Sequence, residues 1–367
     1  MKIFLTFLTL TFLLGWLDKA LEEKAFEVYY PIATGDSLRI DVQLRYNEQG
    51  FPEEYFCHVK TPVCKEGLCH LLVVDLYWDL LGNFNKYELP PTAPLTKFDH
   101  EEFSEEDYAK LDRILANKRS LLGENRVEDL VDGSSERVSQ EVDAVTGATV
   151  KAVENTVVSG AVYSTYALWH LVNGEIAERI PDHTDGLFDQ ALLEHFLASD
   201  NYRYHYYTLD ALTEKQYATY MPQIMSIIKN GSLFVARYAL NKIPDTIYAD
   251  PEWQLALVEQ FPEADFTTQQ LLLKRFQSLE MGSESLRVLS QQLDQLSEQQ
   301  LQEALLLMIN NQSALDDNTM NRIVQLVHHE NPIYAEQAYE ALQQLSVNND
   351  QVKSALKHYE TTVKTNE

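Results

Sequence analysis

Hydrophobic and polar residues alternate through the first part of the chain, from about residue 25 to residue 90. Segments rich in Val, Ile, Tyr and Phe are separated there by Gly- and Asn-containing stretches at 34–36, 48–50 and 65–67. Such segments are typical of half-buried β-strands joined by turns. The pattern predicts an antiparallel meander with the strand sequences FEVYYPIA, LRIDVQLRY, EEYFCHVK and LCHLLVVDLYWDLLG.

A helical period replaces this alternation after residue 90. Ser104 precedes a run of acidic residues and then an apolar face, which is the signature of a capped helix start. Further on, the apolar positions of residues 141–173 fit one broad helical stripe. They predict a helix that begins near Thr146–Thr149 and continues to the end of this segment.

Residues 185–367 are rich in Leu, Gln, Ala and Glu and show successive amphipathic helical patterns. Polar residues precede Tyr-, Leu- or Ala-rich helices at intervals of 30–35 residues, at Asn201, Ser232, Thr267, Ser297 and Asn331. A period of this size indicates stacked helical hairpins, and the pattern resembles HEAT-type repeats. An irregular helical bundle remains the alternative.

The N-terminal residues have the character of an export signal. Lys2 precedes an apolar run at 3–17, which is shorter than the roughly 20 residues that a transmembrane helix needs. The run therefore predicts a signal peptide that ends near Ala20. We expect a periplasmic or extracytoplasmic protein, with an uncleaved N-terminal anchor as the alternative.

The net charge narrows the range of partners. The chain has 29 Lys+Arg against 56 Asp+Glu, which gives −27 at pH 7. Nucleic acids and anionic membrane surfaces both attract proteins through Lys and Arg. This strongly acidic chain is therefore expected to bind neither of them.

All three cysteines, Cys57, Cys64 and Cys69, lie within 13 residues. An oxidising compartment favours a disulfide, and a predicted turn would bring Cys64 and Cys69 together and leave one cysteine over. His58 and His70 each follow a cysteine, and Cys with neutral imidazole can bind zinc, copper or haem iron. A disulfide, a metal or redox site, and inert thiols all stay open.

The segment Asp143–Thr149, with the sequence DAVTGAT, stands at the predicted start of the apolar helix. Gly147 allows a close approach of the backbone to a ligand. Thr149 would present its hydroxyl beside the unpaired N–H groups of a helix N-terminus, which is a site suited to phosphate. The alternative is an ordinary helix start capped by Thr146 or Thr149.

This segment resembles the D-x-x-[ST]-G-A-T flavinylation motif of the FMN-binding domain family. That domain occurs in flavin-carrying subunits of sodium-pumping NADH:quinone oxidoreductases and of Rnf complexes. Its last threonine carries FMN through a phosphoester bond that an exported flavin transferase makes. The resemblance implies that Thr149 is the acceptor. It further implies cofactor-binding roles for Asp143, Thr146, Gly147 and Ala148, and Lys151 is a candidate partner of the phosphate. Tyr77, Trp78 and Tyr87 are candidates to cover the flavin ring.

Taken together, the patterns and the resemblance predict an α+β chain. An antiparallel-sheet, FMN-binding-like domain (25–178) would follow a signal peptide (1–20) and precede an all-α solenoid of helical hairpins (185–367). The implied function is an exported flavoprotein that relays electrons to or from a redox partner docked on the helical repeats, without substrate turnover of its own. The alternatives are a cofactor-free solenoid interaction protein and a Cys/His protein that handles metal or haem.

Overall fold

The computed structural model describes residues 22–32, 35–63, 71–97, 100–127, 130, 156–346 and 350–362. Contacts divide the chain into two compact units, residues 1–192 and residues 193–367. The first unit, here the sheet unit, combines an antiparallel sheet with helices, and the second, here the helical unit, is built from helices. The predicted succession of a sheet and a helical half is thereby confirmed.

Five strands of the sheet unit form one antiparallel meander in the order β1-β2-β3-β4-β5. The strands are β1 (Glu22–Pro31), β2 (Ser37–Tyr46), β3 (Pro52–Thr61), β4 (Leu72–Trp78) and β5 (Phe84–Glu88). The first four correspond to the predicted segments. The alternation did not predict β5, whose residues are all exposed or half-buried.

One face of this sheet carries the buried core row, and the other face is more exposed along β2 and β3. The register places Leu44 opposite Tyr55 and Tyr55 opposite Trp78, and all three side chains are buried. On the other face the Arg45 guanidinium lies over the Phe56 ring, with 5.0 Å from its carbon to the ring centroid. Because successive strand residues point to opposite faces, a slip of one residue would expose the whole core row.

Three α-helices of this unit are described in full, α1 (Glu105–Ala116), α2 (Val162–Asn173) and α3 (Glu175–Leu187), together with a short 3₁₀ helix, Leu121–Gly123. The predicted helix start at Ser104 is confirmed. The Ser104 hydroxyl accepts a hydrogen bond from Asp107 N, and the Asp107 carboxylate accepts one from Ser104 N. This reciprocal capping satisfies two backbone N–H groups that the first turn leaves without partners.

The prediction of one continuous helix up to residue 173 is wrong. Residues 157–161 are not helical, and Gly160 has φ +74°. The Thr165 hydroxyl accepts a hydrogen bond from Val158 N and donates one to Ala161 O, which fixes the turn in front of α2. Val157, Val158 and Ala161 are buried although they lie outside a helix. Their apolar character therefore fitted the helical stripe and concealed the break.

The helical unit consists of hairpins that follow α4 (Gln190–Ala198). The first helices of the hairpins are α5 (Tyr202–Ala211), α7 (Leu233–Lys242), α10 (Phe266–Phe276), α12 (Glu298–Asn310) and α14 (Pro332–Gln344). The second helices are α6 (Glu214–Asn230), α9 (Pro251–Gln260), α11 (Ser283–Ser290), α13 (Asp317–Leu326) and α15 (Asp350–Thr362), and the single turn α8 (Asp245–Tyr248) precedes α9. No helix in the described residues combines the length and the apolar character needed to cross a membrane.

Each first helix contacts the first helix of the next hairpin, and the second helices do the same. Gln300 Nε2 donates to Gln269 Oε1 at 2.9 Å near the starts of α12 and α10, and Asn310 Nδ2 donates to Gln277 Oε1 at 3.4 Å near their ends. These two helices therefore run parallel. The hairpins stack in chain order, as the 30–35-residue period predicted.

The predicted helix starts correspond closely to the caps of the first helices. Asn201, Ser232, Ser297 and Asn331 are the N-caps of α5, α7, α12 and α14. The start predicted at Thr267 lies two residues late. Asp265 is the N-cap of α10, because its carboxylate accepts hydrogen bonds from Thr267 N and Thr268 N.

Candidate functional site

The flavinylation-like motif lies outside the described residues. Asp143, Thr146, Gly147, Ala148, Thr149 and Lys151 all belong to the segment 131–155. The described chain reaches this segment at the buried Leu130 and resumes at Thr156.

A groove lined by aromatic residues lies between the end of β1 and α2. Two adjoining cavities of about 270 and 260 Å³ share Tyr30, Pro31 and Tyr166. His170 lines the first cavity, and Tyr163 lines the second. We call Tyr30, Tyr163, Tyr166 and His170 the aromatic groove.

The local sequence explains why these side chains converge. Tyr163, Tyr166 and His170 are spaced i, i+3 and i+7 on α2, so they share one face of the helix. The remaining faces of α2 carry Leu168 and Val172, which are fully buried in the core. The aromatic residues are half-buried and face Tyr30 from β1.

The groove contains neutral polar groups. His170 Nε2 donates a hydrogen bond to Leu122 O at 3.0 Å, which leaves the lone pair of a neutral imidazole on Nδ1. Burial lowers the pKa of His170, so its ring is neutral at pH 7. Burial also raises the pKa of Tyr30, which keeps its hydroxyl protonated. Glu175 brings a carboxylate to the rim of the first cavity.

Aromatic contacts stiffen the groove further. The rings of Tyr166 and His170 have their centroids 4.3 Å apart, and Trp169 meets His170 edge-on at 5.0 Å. Apolar walls with a few fixed polar groups are typical of sites for small organic ligands. The groove therefore fits a planar aromatic group better than an inorganic ion.

Two residues that line this groove are close in sequence to the segments that carry candidate chemistry. Val63 and Val127 line the second cavity. Cys64 follows Val63 directly and opens the segment 64–70, while Val127 lies just before the part of the chain that contains the motif. The hydrophobic pattern contains no signal that Val63 and Val127 line one cavity.

A polar cavity marks the other end of the motif segment. Lys110 and Arg113 of α1 line a cavity of about 500 Å³ together with Thr156, the residue at which the described chain resumes. Two basic residues on one helix face are notable in a chain with a net charge of −27. A phosphate group would find favourable charge there.

The aromatic residues predicted to cover a flavin ring do not form one site. Trp78 is fully buried, and its Nε1 donates to Val172 O at 2.8 Å. Tyr77 lies on the opposite sheet face, where the Lys86 ammonium is 4.4 Å from its ring centroid. Tyr87 pairs with Leu76 in the register of β4 and β5, on the same side as Trp78. The aromatic groove lies elsewhere, on α2 and the end of β1, and its sequence signal is the helical spacing of Tyr163, Tyr166 and His170.

Cys57 and His58 point to opposite faces of the sheet, because they are adjacent on β3. Cys57 is a fully buried free thiol. Burial raises the pKa of this thiol well above its usual value, so it stays protonated at neutral pH. His58 is exposed and its Nδ1 lies 2.6 Å from Asp75 Oδ1. The side chains of Cys57 and His58 therefore cannot bind the same metal ion. The other candidate ligands, Cys64, Cys69 and His70, lie outside the described residues.

Within the described part of the chain, no group of three or more His, Cys, Asp or Glu side chains is arranged to hold a metal ion. Comparisons with known proteins do not assign the chain to a family. A scan of protein-family models found no match, and a search of curated proteins found no significant match. The candidate site is accordingly defined by its own residues, Tyr30, Tyr163, Tyr166 and His170 of the aromatic groove.

Proposed function

We propose that this protein is an exported flavoprotein that carries FMN covalently on Thr149 and relays electrons to or from a partner protein. The observation that carries the proposal is the segment DAVTGAT, which matches the flavinylation motif at every specified position. Its resemblance to the FMN-binding domain family implies a phosphoester bond at Thr149, made by a flavin transferase. The sheet unit would then be an FMN-binding-like domain, and the helical unit a HEAT-like solenoid.

The aromatic groove supports this proposal because it offers a suitable place for a flavin ring. Tyr30 and Tyr166 would hold the ring with their faces, and His170 Nδ1 would accept a hydrogen bond from it. Val127, near the start of the motif-bearing stretch, lines the same groove. A bound flavin supplies the electron-transfer chemistry, while the protein binds it, orients it and limits its exposure to water.

The proposal is tested by the mass of the intact protein. The full chain is co-expressed with an exported flavin transferase, and the wild type is expected to gain the mass of one FMN less one water. Thr149→Ala is expected to gain nothing, because the acceptor hydroxyl is absent. Thr219→Ala is the matched control, since it removes an exposed threonine hydroxyl on α6, far from the motif in sequence, and should leave the adduct in place.

The groove is tested separately on the flavin-loaded protein. Tyrosine rings in contact with a flavin quench its fluorescence, so Tyr166→Ala is expected to raise the flavin emission per mole of bound cofactor. Tyr46→Ala is the control, because Tyr46 lies at the end of β2 and does not line either cavity. Equal emission from the two variants would place the ring elsewhere, even if Thr149 carries the flavin.

A further inference from the structure

Large apolar side chains are exposed at equivalent positions of four of the five hairpins, and the fourth hairpin has Glu298 and Gln299 there. Each of these apolar side chains lies at the first or second residue after the N-cap of a first helix. They are Tyr202 on α5, Leu233 and Phe234 on α7, Phe266 on α10 and Ile333 on α14. Phe234 is 76% exposed and Phe266 is 54% exposed. Single exposed apolar residues are ordinary, but a series at the same position of repeated elements indicates an interaction surface.

Hydrogen bonds show that these helix starts are neighbours. Arg237 of α7 pairs with Asp265, the N-cap of α10, at 2.5 Å. Gln300 near the start of α12 donates to Gln269 of α10, and the Tyr334 hydroxyl at the start of α14 donates to Leu296 O just before α12. Because packed helices lie about 8–10 Å apart, the exposed side chains of α5, α7 and α10 form a row with roughly that spacing, and Ile333 lies about two such spacings beyond Phe266.

We call the segments that lead into the first helices the hairpin-start edge. It comprises residues 199–203, 229–234, 259–267, 291–299 and 328–333. A cavity of about 190 Å³ opens in it between the second and third hairpins. Leu233, Leu257 and Leu272 line this cavity together with the charged residues Lys229, Glu263 and Asp265. The edge thus offers an apolar recess as well as an apolar row.

The charge of this edge is strongly one-sided. It holds seven acidic and two basic side chains. The acidic ones are Asp200, Glu259, Glu263, Asp265, Asp294, Glu298 and Glu330, and the basic ones are Arg203 and Lys229. Glu263 pairs with Lys229 at 3.5 Å, and Asp265 with Arg237. The ion pairs found among the described residues involve none of the other five acidic groups, which therefore remain available to a partner's cations.

We propose that the hairpin-start edge binds a basic amphipathic helix of a partner protein. Seven residues of α-helix rise about 10.5 Å, so an apolar residue in every heptad follows the spacing of the row. Lysine or arginine beside these residues would meet the acidic groups. A second copy of the same edge is disfavoured, because it would oppose acidic groups to acidic groups. The inference uses only the helical unit and does not depend on the flavin.

A synthetic probe tests this inference. The probe is a fluorescently labelled helical peptide with leucines at heptad-related positions and lysines elsewhere, and its binding to the full chain is measured by anisotropy. The double variant Phe234→Ser/Phe266→Ser is expected to weaken binding at least about tenfold, or about 1.4 kcal/mol. Leu306→Ser is the matched control. Leu306 is 46% exposed on α12 but lies in the middle of the helix, so its substitution should leave the affinity unchanged.

A second arm tests the charge. Asp294→Lys/Glu298→Lys and added salt are both expected to weaken the binding of the lysine peptide, and a peptide with glutamate in place of lysine should not bind. Circular dichroism of every variant confirms the helical content. The inference is overturned if the wild type does not bind the lysine peptide, if the glutamate peptide binds equally well, or if Leu306→Ser weakens binding as much as the edge variants. Self-association of the wild type through Phe234 and Phe266 would also overturn it.

Discussion

Replacing Trp78 by alanine is expected to lower the free energy of unfolding of the sheet unit by about 3–5 kcal/mol, the usual cost of removing a large aromatic residue from a core. Trp78 is fully buried and stands in one row with Leu44 and Tyr55. Its Nε1–H donates to Val172 O at 2.8 Å. Val172 is among the last four residues of α2, whose carbonyl groups lack partners within the helix. One side chain therefore fills the core and caps the helix that carries Tyr166 and His170.

Two further variants separate the contribution of core packing from that of the hydrogen bond to Val172 O. Trp78→Phe keeps an apolar ring but leaves Val172 O without its donor, so we expect a loss of about 1–3 kcal/mol. Trp253→Ala is the control, because Trp253 is only half-buried on α9 in the helical unit. Urea denaturation is followed by tryptophan fluorescence in a Trp16→Phe/Trp253→Phe background, in which the remaining Trp78 and Trp169 both belong to the sheet unit. The Trp253→Ala control is followed by circular dichroism. If Trp78→Ala unfolds at the same urea concentration as the wild type, the packing described for this residue is wrong.

The sheet was predictable from the sequence because alternation requires only local information. Residues on β3 alternate between buried Tyr55 or Cys57 and more exposed Phe56 or His58. The strand β5 was missed because its five residues are not deeply buried and owe their conformation to pairing with β4. The break in front of α2 was missed because Val157 and Val158 are buried with or without a helix.

The hairpin starts were predictable for a related reason. Capping is a local interaction between a side chain and the next few backbone N–H groups, so Asn201, Ser232 and Ser297 identify helix starts by themselves. The aromatic groove was not predictable in this way. Tyr30 donates a hydrogen bond to Ala167 O across 137 positions of sequence, at 3.5 Å. A single sequence contains no signal for such a distant approach.

Substituting alanine for Gly82 is expected to destabilise the sheet unit more than the same substitution at Gly50. Both glycines have positive φ, +70° and +80°, so alanine would cost about 1–2 kcal/mol in backbone strain at either site. Only Gly82 is also crowded, because a Cβ there would overlap Ala177 O of α3 and touch Pro181. No heavy atom lies within 4 Å of the corresponding position at Gly50.

The difference in unfolding free energy between the two variants measures how tightly α3 packs against the turn before β5. Overfilling a packed site costs about 1–3 kcal/mol. In urea denaturation, the loss of unfolding free energy caused by Gly82→Ala should therefore exceed the loss caused by Gly50→Ala by about this amount. Relaxation is restricted, since Arg179 of α3 donates to Glu27 O of β1 at 2.6 Å and Asp79 fixes the turn through Leu81 N and Asn83 N. If both variants lose the same amount of unfolding free energy, α3 moves away from the turn at little energetic cost. Because Gly174 alone separates α3 from α2, such a movement would also displace Tyr166 and His170, and the aromatic groove would be adjustable rather than preformed.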